Sequence, residues 1–327
     1  MSGRTILITG ANGFLGAHLA KALTARGDAV RAMVRAGSDA GALDGSGATV
    51  VRGDVTEPGS LPALLEGVST VFHLAGIRRA STRADFMRVN AEGTRHVAEA
   101  MVQARAKRLV FVGSLAASGP SLGGVPRVES DAFNPQEWYG ESKAEGERLA
   151  FTFDGRLEVT SCRPSRIVGP GDHENLTFFK LVKKGFILRI GGAERRLSFV
   201  DVDDVDDQLL LQADRPEAVG EAFFASSDET STVEELMRLV ASALHRSPRT
   251  LTVPPWLLSL VGAVADLISN TTGRKLPVNR KLARQLLAPG WTCSIDKAKR
   301  RLGYLPKRSV AESIARSAES YVRLGWL

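Results

Sequence analysis

Tyr139 and Lys143 stand four residues apart in the run Tyr139-Gly140-Glu141-Ser142-Lys143. On a helix that spacing puts both side chains on one face. A free phenol titrates near ~10. A neighbouring ammonium favours the phenolate and pulls that value down. A phenol tuned in this way takes or gives a hydroxyl proton near neutral pH. Ser114 follows the apolar run 108–112, which reads as a strand, and is the natural donor to fix a substrate oxygen. A solvent-facing pair is the plainer reading of Tyr-x-x-x-Lys alone. The position of Ser114 at the end of the preceding strand argues against it.

Proton exchange at an alcohol or ketone needs a redox partner, and the N-terminus supplies a place for one. Residues 4–9 read as a short apolar strand, followed by Gly10, Gly13 and Gly16 and then by a helix with Leu15, Leu19, Ala22 and Leu23 on one face. A strand, a glycine turn and a helix start are the context of a dinucleotide fingerprint. A pyrophosphate there must sit on helix amides that side chains would block. The turn, with Asn12, Phe14 and Leu15, is therefore assigned to a cofactor. The second strand, 29–34, ends at Arg35, with no carboxylate before Asp39. A guanidinium suits a 2′-phosphate, so NADP is expected in preference to NAD, unless Asp39 folds back to the ribose. Asp54-Val55 closes a third strand at the adenine side, and Leu74-Ala75-Gly76 ends a fourth, where small residues admit the nicotinamide side. His73, in an apolar strand, is expected to be packed. Lys143 can also hold the nicotinamide ribose.

With these motifs in place the chain resembles the extended short-chain dehydrogenases/reductases, the NAD-dependent epimerase/dehydratase superfamily. The likeness continues through Asn90-Ala-Glu-Gly93-Thr94, Gly113 to Pro120, Arg163-Pro164 to Asp172, Ser198 to Asp204 and Leu302-Gly303-Tyr304-Leu305-Pro306. It implies a Rossmann-type doubly wound parallel α/β sheet with a smaller C-terminal substrate-binding domain. The soft boundary falls at 163, giving 1–163 and 164–327, with some later segments returning to the first domain. It also implies Tyr139 as acid/base, Lys143 as its partner, Ser114 as oxygen donor, and cofactor contacts from Asn90, Pro164 and Ser165. A homodimer through the helices around 84–104 and 138–153 is a further implication.

Three departures matter. The family often has Tyr where this chain has Ser118 and Val168, and its dehydratase branch has acids where Leu115-Ala116 stand. These point away from sugar chemistry. Pro254-Pro255-Trp256, the apolar run after it, Pro277 and the closing Leu-Gly-Tyr-x-Pro resemble the 3β-hydroxysteroid dehydrogenase-like and dihydroflavonol reductase-like branches. The substrate is then a hydrophobic secondary alcohol or ketone: steroid-like, 3-oxoacyl or flavonoid-like. Ser118, Phe178 and Phe179 are the substrate-side candidates, although such phenylalanines also build cores. One rival is a nucleotide-sugar 4-epimerase with tightly bound NAD, using Arg195 and Arg196 on a diphosphate. Another is a non-catalytic dinucleotide-binding protein, for which the intact triad has no use.

The 327 residues suit one large or two intimate domains. Strands alternate with helices up to about 163, which argues for a parallel sheet. Cys162 and Cys293 make no disulfide framework, the chain begins almost on a core strand with no room for a leader, and no residues are assigned to a metal. A cytoplasmic protein is expected. Residues 256–268 form an apolar run too short to span a bilayer. Residues 274–308 hold 11 basic residues against one acid, Asp296, a net +10 in a chain of +7, so the rest sums to −3. Such a pair could rest on an anionic membrane surface; the plainer reading is a solvated basic face beside a pocket-lining helix. At 6% aromatic residues and without a recognised module, nucleic-acid binding is not expected.

Overall fold

Successive side chains of a strand point to opposite faces of its sheet. In the first strand Ile6 and Ile8 enter one hydrophobic core, and Leu7 enters the other. A strand apolar on both faces belongs inside a parallel sheet covered by helices, and it lies there. The computed structural model describes residues 4–272 and 280–327. Its strands are β1 (Thr5–Thr9), β2 (Ala29–Val34), β3 (Thr49–Arg52), β4 (Thr70–His73), β5 (Arg108–Val112), β6 (Glu158–Pro164), β7 (Arg166–Val168), β8 (Phe186–Ile190), β9 (Arg196–Asp201), β10 (Glu221–Ala225), β11 (Thr230–Ser231), β12 (Arg249–Val253) and β13 (Gly290–Trp291).

Seven strands form one parallel sheet in the order β3-β2-β1-β4-β5-β6-β10. The order reverses between β1 and β4, where the carboxyl ends of the strands leave a crevice for a ligand. One face is covered by the helices Phe14–Ala25 and Val202–Asp214, through Leu19, Leu23, Val205 and Leu209. The other is covered by Gly93–Ala104 and Trp138–Phe151, through Val97, Met101 and Ala150. A second lobe is built on β9, which pairs with β7, β11 and β13, beside the parallel pair β8–β12. Its own core holds Val168, Phe179, Phe199, Leu236, Ile314 and Tyr321.

The chain does not leave the first lobe for good at residue 164. The Val202–Asp214 helix and β10 return to it, and Arg108 Nη1 ties them down by donating to the carbonyls of Gln212 (3.2 Å), Ala213 (2.9 Å) and Arg215 (3.0 Å). This return also changes the meaning of the basic run. Lys297 pairs with Glu221 (2.7 Å), Lys299 with Asp228 (2.5 Å), Lys307 with Asp207 (2.6 Å) and Arg308 with Asp203 (3.1 Å). These four of the six basic residues of 297–308 are therefore paired with acids of 203–228, which takes much of the cationic character from that half of the run. Arg274 and Lys275 lie outside the described residues.

The helix Trp138–Phe151 is anchored by a buried ion pair. Glu147, 2% exposed, receives Arg163 Nη2 at 2.5 Å and Nε at 3.0 Å, and Ser161 Oγ at 2.9 Å. The Arg163 guanidinium lies over the Phe133 ring at 4.8 Å. Breaking one side of such a pair leaves a buried charge unanswered, a loss of about 3–5 kcal/mol. Glu147→Ala is expected to show that loss in urea unfolding, and Glu147→Ala with Arg163→Met to recover most of it. A loss below about 1 kcal/mol for the single variant contradicts an anchoring role.

Candidate active site

The glycine turn makes a cradle that a side chain would fill. Gly10 has φ +69°, and a Cβ on it would stand 2.8 Å from the Ala75 backbone; one on Gly16 would stand 2.5 Å from the Gly10 carbonyl. The helix Phe14–Ala25 then starts with no side-chain cap and no acid in its first turn. Its first amides are left for an anion, as a bound pyrophosphate requires. From this turn a cavity of ≈ 350 Å³ runs past Leu74 and Gly76 to Ser114, Tyr139, Lys143, Pro164 and Ser165. Asn12 spends its Nδ2 on the Asp39 carbonyl (2.9 Å), and the Asp39 carboxylate accepts from the Gly41 amide (2.9 Å), so Asp39 closes its own turn. Arg35 is exposed at the end of β2. Arg52 Nη1 holds the following loop through the carbonyls of Arg35 (3.0 Å) and Ser38 (3.0 Å).

The two halves of the cradle are joined by one oriented hydrogen-bond chain. The Ala75 amide donates to Thr9 Oγ1 (3.1 Å), Thr9 Oγ1 to His73 Nδ1 (2.7 Å), His73 Nε2 to Thr94 Oγ1 (3.0 Å), and Thr94 Oγ1 to the Asn90 carbonyl (2.8 Å). Only a neutral His73 protonated on Nε2 satisfies every member. Burial, helped by the charge of Lys143, pushes its pKa down to about 3. His73 is thus structural, as its apolar strand suggests. Asn90 differs from its assignment to the cofactor. Its Oδ1 accepts from Ile77 N (2.7 Å), and its Nδ2 donates to the Ile77 carbonyl (3.0 Å) and Ser142 Oγ (2.9 Å). With no donor to spare and no exposed surface, it clamps the loop after β4 onto the Tyr139 helix.

Tyr139 and Lys143 lie in the first two turns of the helix Trp138–Phe151. Lys143 is 4% exposed, with Nζ 4.3 Å from the Phe111 ring centroid. Burial pulls its pKa down to about 8, against the opposing charge of Glu147 one turn on. Ser114 caps the short helix Leu115–Ser118 by accepting from the Ala116 amide at 3.1 Å. That bond uses a lone pair and leaves its hydroxyl hydrogen to donate outward.

Ser114 and Tyr139 also line a second cavity of ≈ 420 Å³, walled by Leu115, Ile190, Leu197, Val233, Leu286 and Trp291. The substrate-side candidates lie elsewhere. Phe179 is fully buried in the second-lobe core, edge-on to Tyr321, because its helix turns that side inward. Phe178 packs under Arg166, and Ser118 is fully buried with its hydroxyl unpartnered. Val55 is in the core, and Asp54 Oδ1 accepts from Thr56 N and Oγ1, both 2.8 Å, to close a turn. Arg195 donates to the carbonyls of Gly191 (3.1 Å) and Ala193 (2.7 Å), and Arg196 to Thr230 Oγ1 (2.7 Å), so both hold loops together. Sequence reasoning missed Arg78 and Arg166, which line both cavities. Arg166 lies inside the Arg163 to Asp172 motif, which assigns it no role, and no motif marks Arg78.

A buried ammonium is a stability cost that function retains. The drop from 10.5 to about 8 is worth on the order of 3 kcal/mol. Lys143→Met is expected to stabilise the cofactor-free protein by up to that amount. The folded pKa lies below the unfolded one, so the unfolded chain binds more protons between those values and wild-type stability rises with pH there. The gain is therefore full below pH 8 and gone above 10.5. Chemical unfolding at pH 7 and pH 10.5 measures it; an equal effect at both contradicts the account.

Comparison with known proteins follows the same lines. Residues 6–224 match the model of the NAD dependent epimerase/dehydratase family. The chain is 30% identical to the ceramide reductase of Caulobacter vibrioides (strain NA1000 / CB15N), over 98% of this chain and 96% of that one. It is 28% identical to the UDP-glucose 4-epimerase of Vibrio cholerae, again over 98% and 96%. The crystal structure of gox2253, 26% identical, superposes with a TM-score of 0.84 over 99% of both chains. With that match spanning the glycine cradle and the seven strands of its sheet, the chain belongs to the NAD dependent epimerase/dehydratase family of extended short-chain dehydrogenases/reductases, as an NAD-dependent oxidoreductase.

Proposed function

We propose that the protein interconverts a hydrophobic secondary alcohol and its ketone, with NADP preferred over NAD. The observation that carries this reading is the sharing of Ser114 and Tyr139 between the glycine-cradled cavity and the second one, whose walls include Leu115, Ile190, Leu197, Val233, Leu286 and Trp291. The nicotinamide, when bound, supplies or accepts the hydride at the carbinol carbon. Ser114 donates a hydrogen bond to the substrate oxygen. Tyr139 gives that oxygen its proton in reduction and takes it back in oxidation. Lys143 lines the same cavity as Tyr139, and the Glu147 charge opposes the fall of the Lys143 pKa. The preference for NADP is supported by Arg35 at the end of β2, the Arg52-braced loop beside it, and the prior engagement of the Asp39 carboxylate. The ceramide reductase likeness supports a lipid-like substrate.

The same triad serves a nucleotide-sugar 4-epimerase, and the Vibrio cholerae relative supports that rival. The internal engagement of Arg196 speaks against it, although Arg195 lines the second cavity. NAD that copurifies and returns to its starting oxidation state in each turnover would establish the epimerase instead.

A lipid-like substrate also gives a use to the helix Pro255–Thr272. It turns small residues, Gly262 and Ala265, inward. Trp256 (66%), Leu260 (52%) and Val264 (46%) remain exposed. Among the described residues no helix is long and apolar enough to cross a membrane. Exposed apolar side chains of this kind can enter a bilayer interface, and we propose peripheral contact with a lipid bilayer. Co-sedimentation with phosphatidylglycerol vesicles is expected, and Val264→Glu is expected to weaken it; wild type left in the supernatant refutes the contact.

Tyr139→Phe is expected to lower turnover by at least ~10²-fold with cofactor affinity unchanged. Undiminished turnover overturns the mechanism. Arg35→Ala is expected to raise KM for NADPH ~10–100-fold and leave KM for NADH alone. Equal changes in both deny Arg35 the phosphate.

A further inference from the structure

Arg166 has the surroundings of a receptor for an anion. It follows Pro164 and Ser165 directly, and all three line both cavities. Its side chain is exposed and opens on the cavity space. Nε donates to Asn175 Oδ1 at 2.5 Å, and the guanidinium lies over the Phe178 ring at 5.2 Å. Asn175 is itself fixed, donating from Nδ2 to the Ile167 carbonyl (3.0 Å) and to Asp172. The fork is therefore held by one edge and one face, and its terminal nitrogens remain.

No carboxylate among the described residues lies within the 4.0 Å of an ion pair with those nitrogens. The nearest acids are engaged elsewhere. Asp172 accepts from the amides of Glu174 (2.7 Å) and Asn175 (3.2 Å), and Glu174 pairs with Arg79 at 3.4 Å. The protein around it lowers the Arg166 pKa, the Asp172 charge opposing and the Arg78 charge adding to the effect. Arg78 is the second guanidinium of the junction, 5.6 Å from the Tyr139 ring centroid. Arg78 and Arg166 line both cavities; Asp172 and Glu174 share the glycine-cradled one, and Glu137, Glu194 and Glu234 the other.

A guanidinium whose terminal nitrogens open on a cavity matches a carboxylate, which it can bind through two parallel bonds. We propose that Arg166, assisted by Arg78, binds a carboxylate on the substrate, so that the substrate class is a hydroxy or oxo fatty acid. This rests on the alcohol–ketone reading above and narrows it. The apolar walls formed by Leu197, Leu286 and Trp291 then take the alkyl chain. A cofactor phosphate is the other source of an anion for the same fork.

The test compares 3-hydroxydodecanoate with its methyl ester, using NADP⁺ and the full-length protein. Wild type is expected to favour the acid at least ~10-fold in kcat/KM. Arg166→Gln is expected to raise KM for the acid ~10–100-fold, with little change in kcat, in the ester's KM or in NADP⁺ affinity. Arg166→Lys, which keeps the charge without the fork, is expected to fall between. Calorimetric binding of the acid to the enzyme–NADP⁺ complex gives a readout independent of turnover. Acid that binds, depends on Arg166 and is not oxidised supports the subsite and overturns the redox reading. A wild type that treats acid and ester alike overturns the subsite without any variant. So does an Arg166→Gln protein that loses NADP⁺ affinity instead, which assigns the fork to the cofactor.

Discussion

A charge enclosed by protein must be answered by another charge, and that rule organises this molecule. Lys143 is enclosed on the catalytic helix and is answered one turn later by Glu147. Glu147 in turn is held by Arg163 of β6. The next residues of that strand and its continuation are Pro164, Ser165 and Arg166. One run of opposite charges therefore fixes the helix that carries Tyr139 against the strand whose end lines both cavities. Replacing the Glu147–Arg163 pair by apolar groups need not weaken the fold. It would remove the charge that opposes the fall of the Lys143 pKa on burial.

What could be read beforehand was local. Glycines three residues apart after a strand, and Tyr139 four residues before Lys143, follow from helix and turn geometry that spacing alone reveals. β2, β5 and the helix Trp138–Phe151 fall on the residues that periodicity selects. What could not be read depends on neighbours remote in the chain. Phe178 and Phe179 are as apolar as pocket residues, and only the packing of their helix shows that one is core and the other lies under Arg166. Asn90 sits in the motif that marks it for attention, but its task follows from where Ile77 and Ser142 arrive. The positive run near the C-terminus loses half its meaning once β10 and the helix before it bring their acids alongside.

The two lobes share material. β6 belongs to the main sheet, and β7, one residue later, pairs with β9 in the second lobe. The chain then returns through the Val202–Asp214 helix and β10 to the edge of the main sheet. Ser165, between β6 and β7, donates its amide to the Ala225 carbonyl at the end of β10 (2.9 Å). The crossing at Pro164 to Arg166 lines both cavities beside Ser114 and Tyr139. The junction is thereby braced where chemistry needs fixed geometry.

The chain of donors from Ala75 to Asn90 has a polarity. Each member gives one proton forward and receives one from behind, so the tautomer of His73 cannot reverse without unmaking its neighbours. Removing the His73 ring would take away the acceptor of the Thr9 hydroxyl and the donor to Thr94 at once. A single side chain at the end of β4 therefore decides whether two hydroxyls on two other elements are satisfied.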